Sequence, residues 1–282
     1  LAYMLAQNLL LGIQEVRAFN KIELAARVIT VGLITVVIVI GFVTPETVFI
    51  AGLAAGVANL AWVLWHLRPF IPSRPRPSWP LLRDNIAYGF RVYLNCLFAF
   101  LVIRLDLLMV QFMMGAEQAG YYSISVSMAD LVYLLPVVIG TILFPKLSAM
   151  DRIEDKWRLT NRTAAVVAVM MIGISTTAAL AARPAVHLVF GAEYLPAVPA
   201  FVILAAGLVF LGINTIYSNF LGSTGLPWFT VWLWGAVTAL NVGLNLVWIP
   251  RYGIEGAAFA SLGCYTLALV VQFAYALLYV RR

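Results

Sequence analysis

Arg104 and Asp106 lie two positions apart inside a strongly apolar stretch, and Asp130 lies inside the next one. A charge at the centre of a membrane costs about 2.5–3.5 kcal/mol on insertion scales, so each should face protein, a watery cavity or an interface. Two positions are about 200° around a helix, so Arg104 and Asp106 cannot share a face. Asp106 stacks with Asn95 and loosely with Arg91, whereas Arg104 stacks with Tyr93, Leu97 and Gln111. At least one of these faces should line a cavity. The pair either handles a ligand or locks two helices together. Ser123 and Ser127 share the face of Asp130, which fits a wet surface or an interhelical bond network.

Further along, Asn214, Tyr217 and Ser218 mark one side of a helix, and Asn241 and Asn245 are four apart on another. Neutral amides and hydroxyls suit sugar hydroxyl groups; they suit interhelical bonding equally well. The expected cavity or substrate set is therefore Arg91, Asn95, Arg104, Asp106, Asp130, Asn214, Asn241 and Asn245. No catalytic set is expected. There is no Walker-type phosphate loop, no His-Glu-x-x-His, no Gly-x-Ser-x-Gly and no paired-cysteine metal site. Cys96 and Cys264 both fall in apolar runs and read as packing residues. No resident cofactor is implied; a coupling ion, H+ or Na+, is left open.

The elements that position these residues follow from composition. Hydrophobic residues make up 63% of the 282 and charged residues 11%, against about 25% charged in a soluble domain. A membrane must be the solvent. The net charge of +6 then belongs to loops on one side of the bilayer and not to a nucleic-acid surface.

A spanning helix needs about 20 apolar residues. Residues 1–13 are too few and read as the end of a cut helix; the chain opens on Leu1, so its start is expected upstream. Spans are expected at 24–43, 47–67, 85–114, 119–144, 163–189, 197–221, 227–249 and 254–280. The stretch Arg68 to Arg83 holds five prolines and four arginines and cannot be helical throughout. Pro136 predicts a kink. The loops 14–23, 68–83, 146–162 and 281–282 carry nearly all the lysine and arginine, and the alternate loops carry very little. The positive-inside rule puts the basic loops and the C-terminus in the cytoplasm. Trp62, Trp65, Trp228, Trp232, Trp234 and Trp248 mostly fall toward span ends, as interfacial belt residues do.

The hairpin from Asn241 to Ala258 ties the last two spans. Pro250, Tyr252 and Gly253 form its turn, and Gly256, Ala257 and Ala258 open the second arm, where small residues let backbones approach. With Arg104-Leu105-Asp106, Gly120-Tyr121-Tyr122-Ser123, the run Leu143 to Ser148 and the turn Phe190 to Tyr194, this hairpin resembles the polysaccharide exporters and lipid-linked oligosaccharide flippases, O-antigen flippase-like members of the multidrug/oligosaccharidyl-lipid/polysaccharide exporter superfamily. The resemblance covers about 81–258. It implies an all-α integral membrane protein, part of a two-lobe transporter with twelve helices. Residues 1–67 would end the first lobe, 68–83 would be a cytoplasmic linker, and 84–282 would be the whole second six-helix lobe. It implies a polyprenyl-pyrophosphate-linked glycan as substrate, flipped by alternating access across the inner (cytoplasmic) membrane for cell-surface polysaccharide biosynthesis. Membrane lipids and glycan polymerases would be partners. Because that substrate is anionic, the resemblance also implies a cavity that is cationic on balance, with Arg104 best placed to serve and Arg91 nearer the cytoplasmic mouth.

Other readings stay open. A lipid II flippase or a multidrug exporter of the same superfamily shares the pattern. A membrane glycan-assembly enzyme would need acid/base residues on a sizeable outer loop, whereas the expected outer turns run only a few residues. A scaffold would need no cavity.

Overall fold

A computed structural model describes residues 2–13, 15–41, 44–70 and 78–281. The chain is all helical there: α1 (Ala2–Gly12), α2 (Val16–Ile40), α3 (Pro45–Leu67), α4 (Trp79–Met114), α5 (Ala116–Ser148), α6 (Ile153–Val189), α7 (Ala197–Ser223) and α8 (Trp228–Val280), with short 3-10 turns at Arg68–Phe70 and Ala192–Tyr194. Seven of these helices are long and apolar enough to cross a membrane. With 53 residues, α8 would run about 80 Å if straight, far beyond the about 30 Å hydrocarbon core. It is broken at Gly253, whose φ of 61° and ψ of −142° are not helical. The arms 228–252 and 254–280 run antiparallel, since the Cys264 Sγ reaches the Val237 carbonyl. The eight full spans expected from sequence are therefore present, and α1, at 11 residues, is the short one. The molecule is a multi-pass integral membrane protein.

The close approach expected at Gly256 is also present. A Cβ there would collide with the backbone carbonyl of Trp248, so only glycine lets the two arms meet. Elsewhere the expected boundaries shift. The segment 146–162 is not a loop: α5 runs to Ser148 and α6 begins at Ile153. Its charges ride on helix ends that extend past the span, where Lys156 Nζ donates to the Ser223 carbonyl at the C-terminus of α7, the end a cation favours. Likewise the polar stretch 14–23 enters α2 at Val16. The proline-rich linker is shorter than expected, because α4 already begins at Trp79 and takes Pro80 and Arg83 into its first turns. Proline is tolerated there, since the first helical N–H groups have no partner to lose. Arg74 and Arg76 lie outside the described residues.

The chain divides into two compact units, 1–79 and 80–282. In the first, α1, α2 and α3 pack around Leu10, Ile22, Val63 and Leu67. Thr44 caps α3 with a reciprocal Thr44–Thr47 capping box, and Pro45 follows at the first helical position. In the second, α7 is the central helix, with buried residues all along its length. Gly212 lets Met171 of α6 and Pro136 of α5 sit against it, where a Cβ would lie 3.1 Å and 3.3 Å from them. Helix α4 is mostly exposed and turns in a single line of buried residues, Val102, Asp106 and Val110. That spacing of four places Asp106 inward.

Candidate functional site

Asp106 is 1% exposed. Its Oδ2 accepts hydrogen bonds from Tyr122 Oη at 2.6 Å and Ser261 Oγ at 3.0 Å, and its Oδ1 accepts from the Leu107 N–H at 2.7 Å. One carboxyl group thus ties α4 to α5 and to the second arm of α8. Ser261 can reach it because it lies on the small-residue face that begins at Gly256. On the other side of α4, Arg104 donates to Asp130 Oδ2 at 2.9 Å, with side-chain exposures of 38% and 43%. The two charges of α4 therefore serve different neighbours, as their angular separation requires. Ser123 and Ser127, expected to form a wet surface or an interhelical network with Asp130, donate to carbonyls of their own helix.

A cavity of about 360 Å³ opens among α4, α5, α7 and the first arm of α8. Its polar lining comes from Asn95, Tyr133, Asn214, Thr215, Ser218 and Asn219, and its aromatic lining from Tyr88, Phe144 and Trp234. Asn214 and Ser218 are one helical turn apart on α7, and Leu211 and Thr215 broaden the same face. Most of the hydroxyls are held: Tyr133 Oη and Thr215 Oγ1 share a 2.8 Å bond, and Gln272 Nε2 donates to Ser218 Oγ at 2.7 Å. The amides are less well served. Asn214 is fully buried, yet neither its Oδ1 nor its Nδ2 has a partner, and the Asn95 Oδ1 is likewise unpaired. Buried polar atoms without partners are uncommon and call for an explanation. Among the described residues no lysine, arginine or carboxylate lines this cavity.

Of the eight expected site residues, Asn95 and Asn214 line it. Asp106 and Asp130 instead border a void of about 20 Å³ nearby, together with Tyr133. Arg91 is half-buried and lies 5.7 Å from the centre of the Tyr88 ring, one cavity wall removed. Asn241 and Asn245 are fully buried and bond each other at 3.0 Å, away from the cavity lining. Trp234, expected in the interfacial belt, is buried and faces the cavity; Trp65 and Trp232 are exposed as belt residues are. Sequence reasoning missed Tyr122, Ser261 and Gln272. Gln272 had a signal, being a lone amide in an apolar span, whereas a serine or tyrosine in a membrane helix is too common to stand out.

Against known proteins, a family described as "polysaccharide biosynthesis protein" matches residues 6–199. The chain belongs to that family. It is 26% identical over 196 residues to an uncharacterized membrane protein, MJ1068, of Methanocaldococcus jannaschii, a match that covers 68% of this chain and 39% of that one. It is 25% identical over 177 residues to the probable flippase AglR of Haloferax volcanii, covering 59% and 36%. The chain thus spans about two fifths of the length of these relatives. Its fold matches an outward-facing multidrug resistance MATE family transporter of the MOP superfamily, with a TM-score of 0.86 at 14% identity over 98% of this chain and 65% of the other. It also matches the MATE transporter ClbM, with a TM-score of 0.79 at 17% identity over 94% and 62%. The fold is therefore that of the MATE transporters. Among the described residues no group of three or more His, Cys, Asp or Glu could hold a metal ion.

Proposed function

We propose that this chain is part of an alternating-access exporter. Residues 1–67 would close a first helical lobe, the segment around 68–83 would be the cytoplasmic linker, and 84–282 would be the second lobe. The observation that carries this reading is a polar cavity with unpaired amides inside a unit whose outer surface is apolar. A membrane protein gains nothing from such a cavity unless something enters it. The C-terminus would lie in the cytoplasm of the cell that bears the protein in its inner membrane. Fusions of a cytoplasm-only reporter at Ser78, Glu154 or Arg282 should then be active, and fusions at Glu117 or Glu193 silent.

Two substrate readings follow, each with its own support. Export of small amphiphilic organic molecules is supported by the likeness to a multidrug resistance transporter along nearly the whole chain and by the aromatic, uncharged lining of the cavity. Flipping of a lipid-linked glycan is supported by the family match and by the likeness to a probable flippase. The deciding experiment offers vesicles containing the whole protein both a labelled polyprenyl-pyrophosphate glycan and an aromatic cation such as ethidium. Movement of the glycan alone selects the flippase, movement of the cation alone selects the multidrug exporter, and movement of neither rejects transport. Arg104 and Asp130 would then be a switchable interhelical pair in the cycle. Asp106 would orient its neighbours or couple an ion.

A further inference from the structure

We infer that Leu226 is the stopper of the cavity among α4, α5, α7 and α8. Its side chain shuts the aqueous end against water and polar solutes, and its strained backbone lets the turn between α7 and α8 swing it out. The inference rests on the exporter reading of the same cavity and adds how that cavity is closed.

The cavity runs lengthwise through half of the unit. On α7 its lining extends from Leu211 to Gly222, about 16 Å at the helical rise. Helices α4 and α8 begin, and α5 and α7 end, on one side of the unit. There the lining is Tyr88, Phe144, Gly222 and Leu226. Water lies beyond this end, because the charged segment from Lys146 to Arg162 extends from it and Lys156 binds the Ser223 carbonyl beside the turn. Phe144 lies across Gly222, where a Cβ would come within 3.2 Å of the ring. Leu226 belongs to the interhelical turn, a place where side chains are ordinarily wet, yet it is 7% exposed. An apolar constriction of this kind bars water and charge by dewetting.

The backbone shows that this burial is forced. Helix α7 ends in a reversal in which the Gly225 N–H donates to the Gly222 carbonyl at 3.2 Å and the Leu226 N–H donates to the Leu221 carbonyl at 3.0 Å. Gly225 takes the left-handed position, with a φ of 98°, as such helix ends require. Leu226 follows it with a φ of 50°, and among the described residues it is the one non-glycine residue with a positive φ. Pro227 comes next, and its ring narrows the choices of the residue before it further. A branched side chain in this region persists only where its surroundings hold it, and such positions cluster at switches. Here the hold is one hydrogen bond and the seat in the cavity. Relaxing φ breaks the first and withdraws the side chain from the second, so the turn has two states and the cavity is shut in one of them.

The chain contains its own reporter. Cys96 is exposed and lines the cavity farther along α4 than Tyr88, so it registers what passes Leu226. The experiment measures how fast Cys96 is modified in the whole protein in phosphatidylcholine nanodiscs. One reagent is a permanently charged trimethylammonium methanethiosulfonate, which must arrive through water. The other is N-ethylmaleimide, which also arrives through lipid. The mass of the peptide that holds Cys96 gives both rates. The unmodified protein should react slowly with the charged reagent. Leu226→Ala should raise that rate about tenfold, since the constriction then wets, and leave the N-ethylmaleimide rate nearly unchanged. Leu226→Gly should raise it at least as much. It should also unfold at a higher temperature than Leu226→Ala, because glycine takes a positive φ freely, and it serves if the alanine variant does not fold. A charged-reagent rate that is the same in all three proteins overturns the closure and leaves the exporter reading intact. So does an unmodified protein whose Cys96 reacts as fast as in the unfolded chain. An alanine variant more stable than the glycine variant overturns the strained turn. If the rates follow the expected order while the unmodified protein moves neither glycan nor cation into vesicles, the closure stands and the exporter reading falls.

Discussion

The Asp106 cluster and the Asn214 cavity lie in the same six-span unit and treat buried polarity in opposite ways. Asp106 gives both its oxygens to partners on three segments, α4, α5 and the second arm of α8. Asn214 gives its side chain to none. A satisfied polar group in a low-dielectric interior holds a structure together, because breaking it strands every partner. An unsatisfied one costs stability in the resting protein and is kept when something else pairs with it. Unpaired buried atoms occur off the cavity lining too, at Asn241 Nδ2 and Asn245 Oδ1, so the contrast is between a satisfied strut and an amide without protein partners, and it can be attacked at several points.

The largest effect should come from Asp106→Ala. It leaves the Tyr122 and Ser261 hydroxyls buried without their acceptor, which should cost about 2–4 kcal/mol. Thermal unfolding in detergent and the amount of protein reaching the membrane should both fall. Tyr122→Phe should cost less, since the Ser261 bond survives. If Asp106→Ala kept its midpoint and yield while transport vanished, the carboxyl would be a working part and the contrast with Asn214 would dissolve.

Next in size is Gly256→Ala. The added methyl meets the Trp248 carbonyl, so the arms of α8 must part, at about 1–3 kcal/mol. Because Ser261 follows on the same arm, this change should weaken the Asp106 cluster and leave Cys96 reactivity in the cavity untouched. A change in the Cys96 alkylation rate in Gly256→Ala would show that the two regions are mechanically one.

The hairpin illustrates what the sequence makes legible. Its small residues, the Gly253 reversal and the antiparallel arms follow from spacing and steric size, and all appear. So do the eight spans, because hydropathy over about 20 residues is a summed signal that no single contact overrides. The opposed faces of Arg104 and Asp106 were legible too, since two positions on a helix fix an angle. Their partners were not. Periodicity says which way Asp106 points along α4, but Tyr122 and Ser261 come from helices whose rotation depends on the packing of the whole unit. Helix ends were misplaced at Trp79, Ser148 and Ile153 for another reason: a polar helix end in water keeps its hydrogen bonds, so charge marks the membrane surface and not the end of the helix.

Smaller again is the Arg104–Asp130 pair. Both side chains are more than a third exposed, so their coupling should be under about 1 kcal/mol in a double-mutant cycle read by thermal unfolding. Arg104→Ala should therefore leave the protein level near normal. If the pair acts in the transport cycle, export should be lost in that variant and partly kept in Arg104→Lys, which retains a point charge without the planar fork. Export at the unmodified rate in Arg104→Ala would remove the pair from the cycle.

The smallest effect on stability should be that of Asn214→Leu, and it is the most pointed test of the contrast. The two side chains share one branched heavy-atom skeleton, so the change opens no void. It removes two polar atoms that have no protein partner and puts apolar atoms in their place, which is neutral or favourable in an interior. The Gln272 amide still finds the Asn214 backbone carbonyl and the Ser218 hydroxyl, so nothing else is stranded. The unfolding midpoint should stay level or rise, and a fall in export without a fall in stability would give the amide a part in the cycle. That is the reverse of Asp106→Ala, where stability falls first. A midpoint drop in Asn214→Leu as large as that of Asp106→Ala would mean that the amide is already paired inside the resting protein, by a bound water or a shifted side chain. It would then be a strut like Asp106, and the cavity would have no reader of its own.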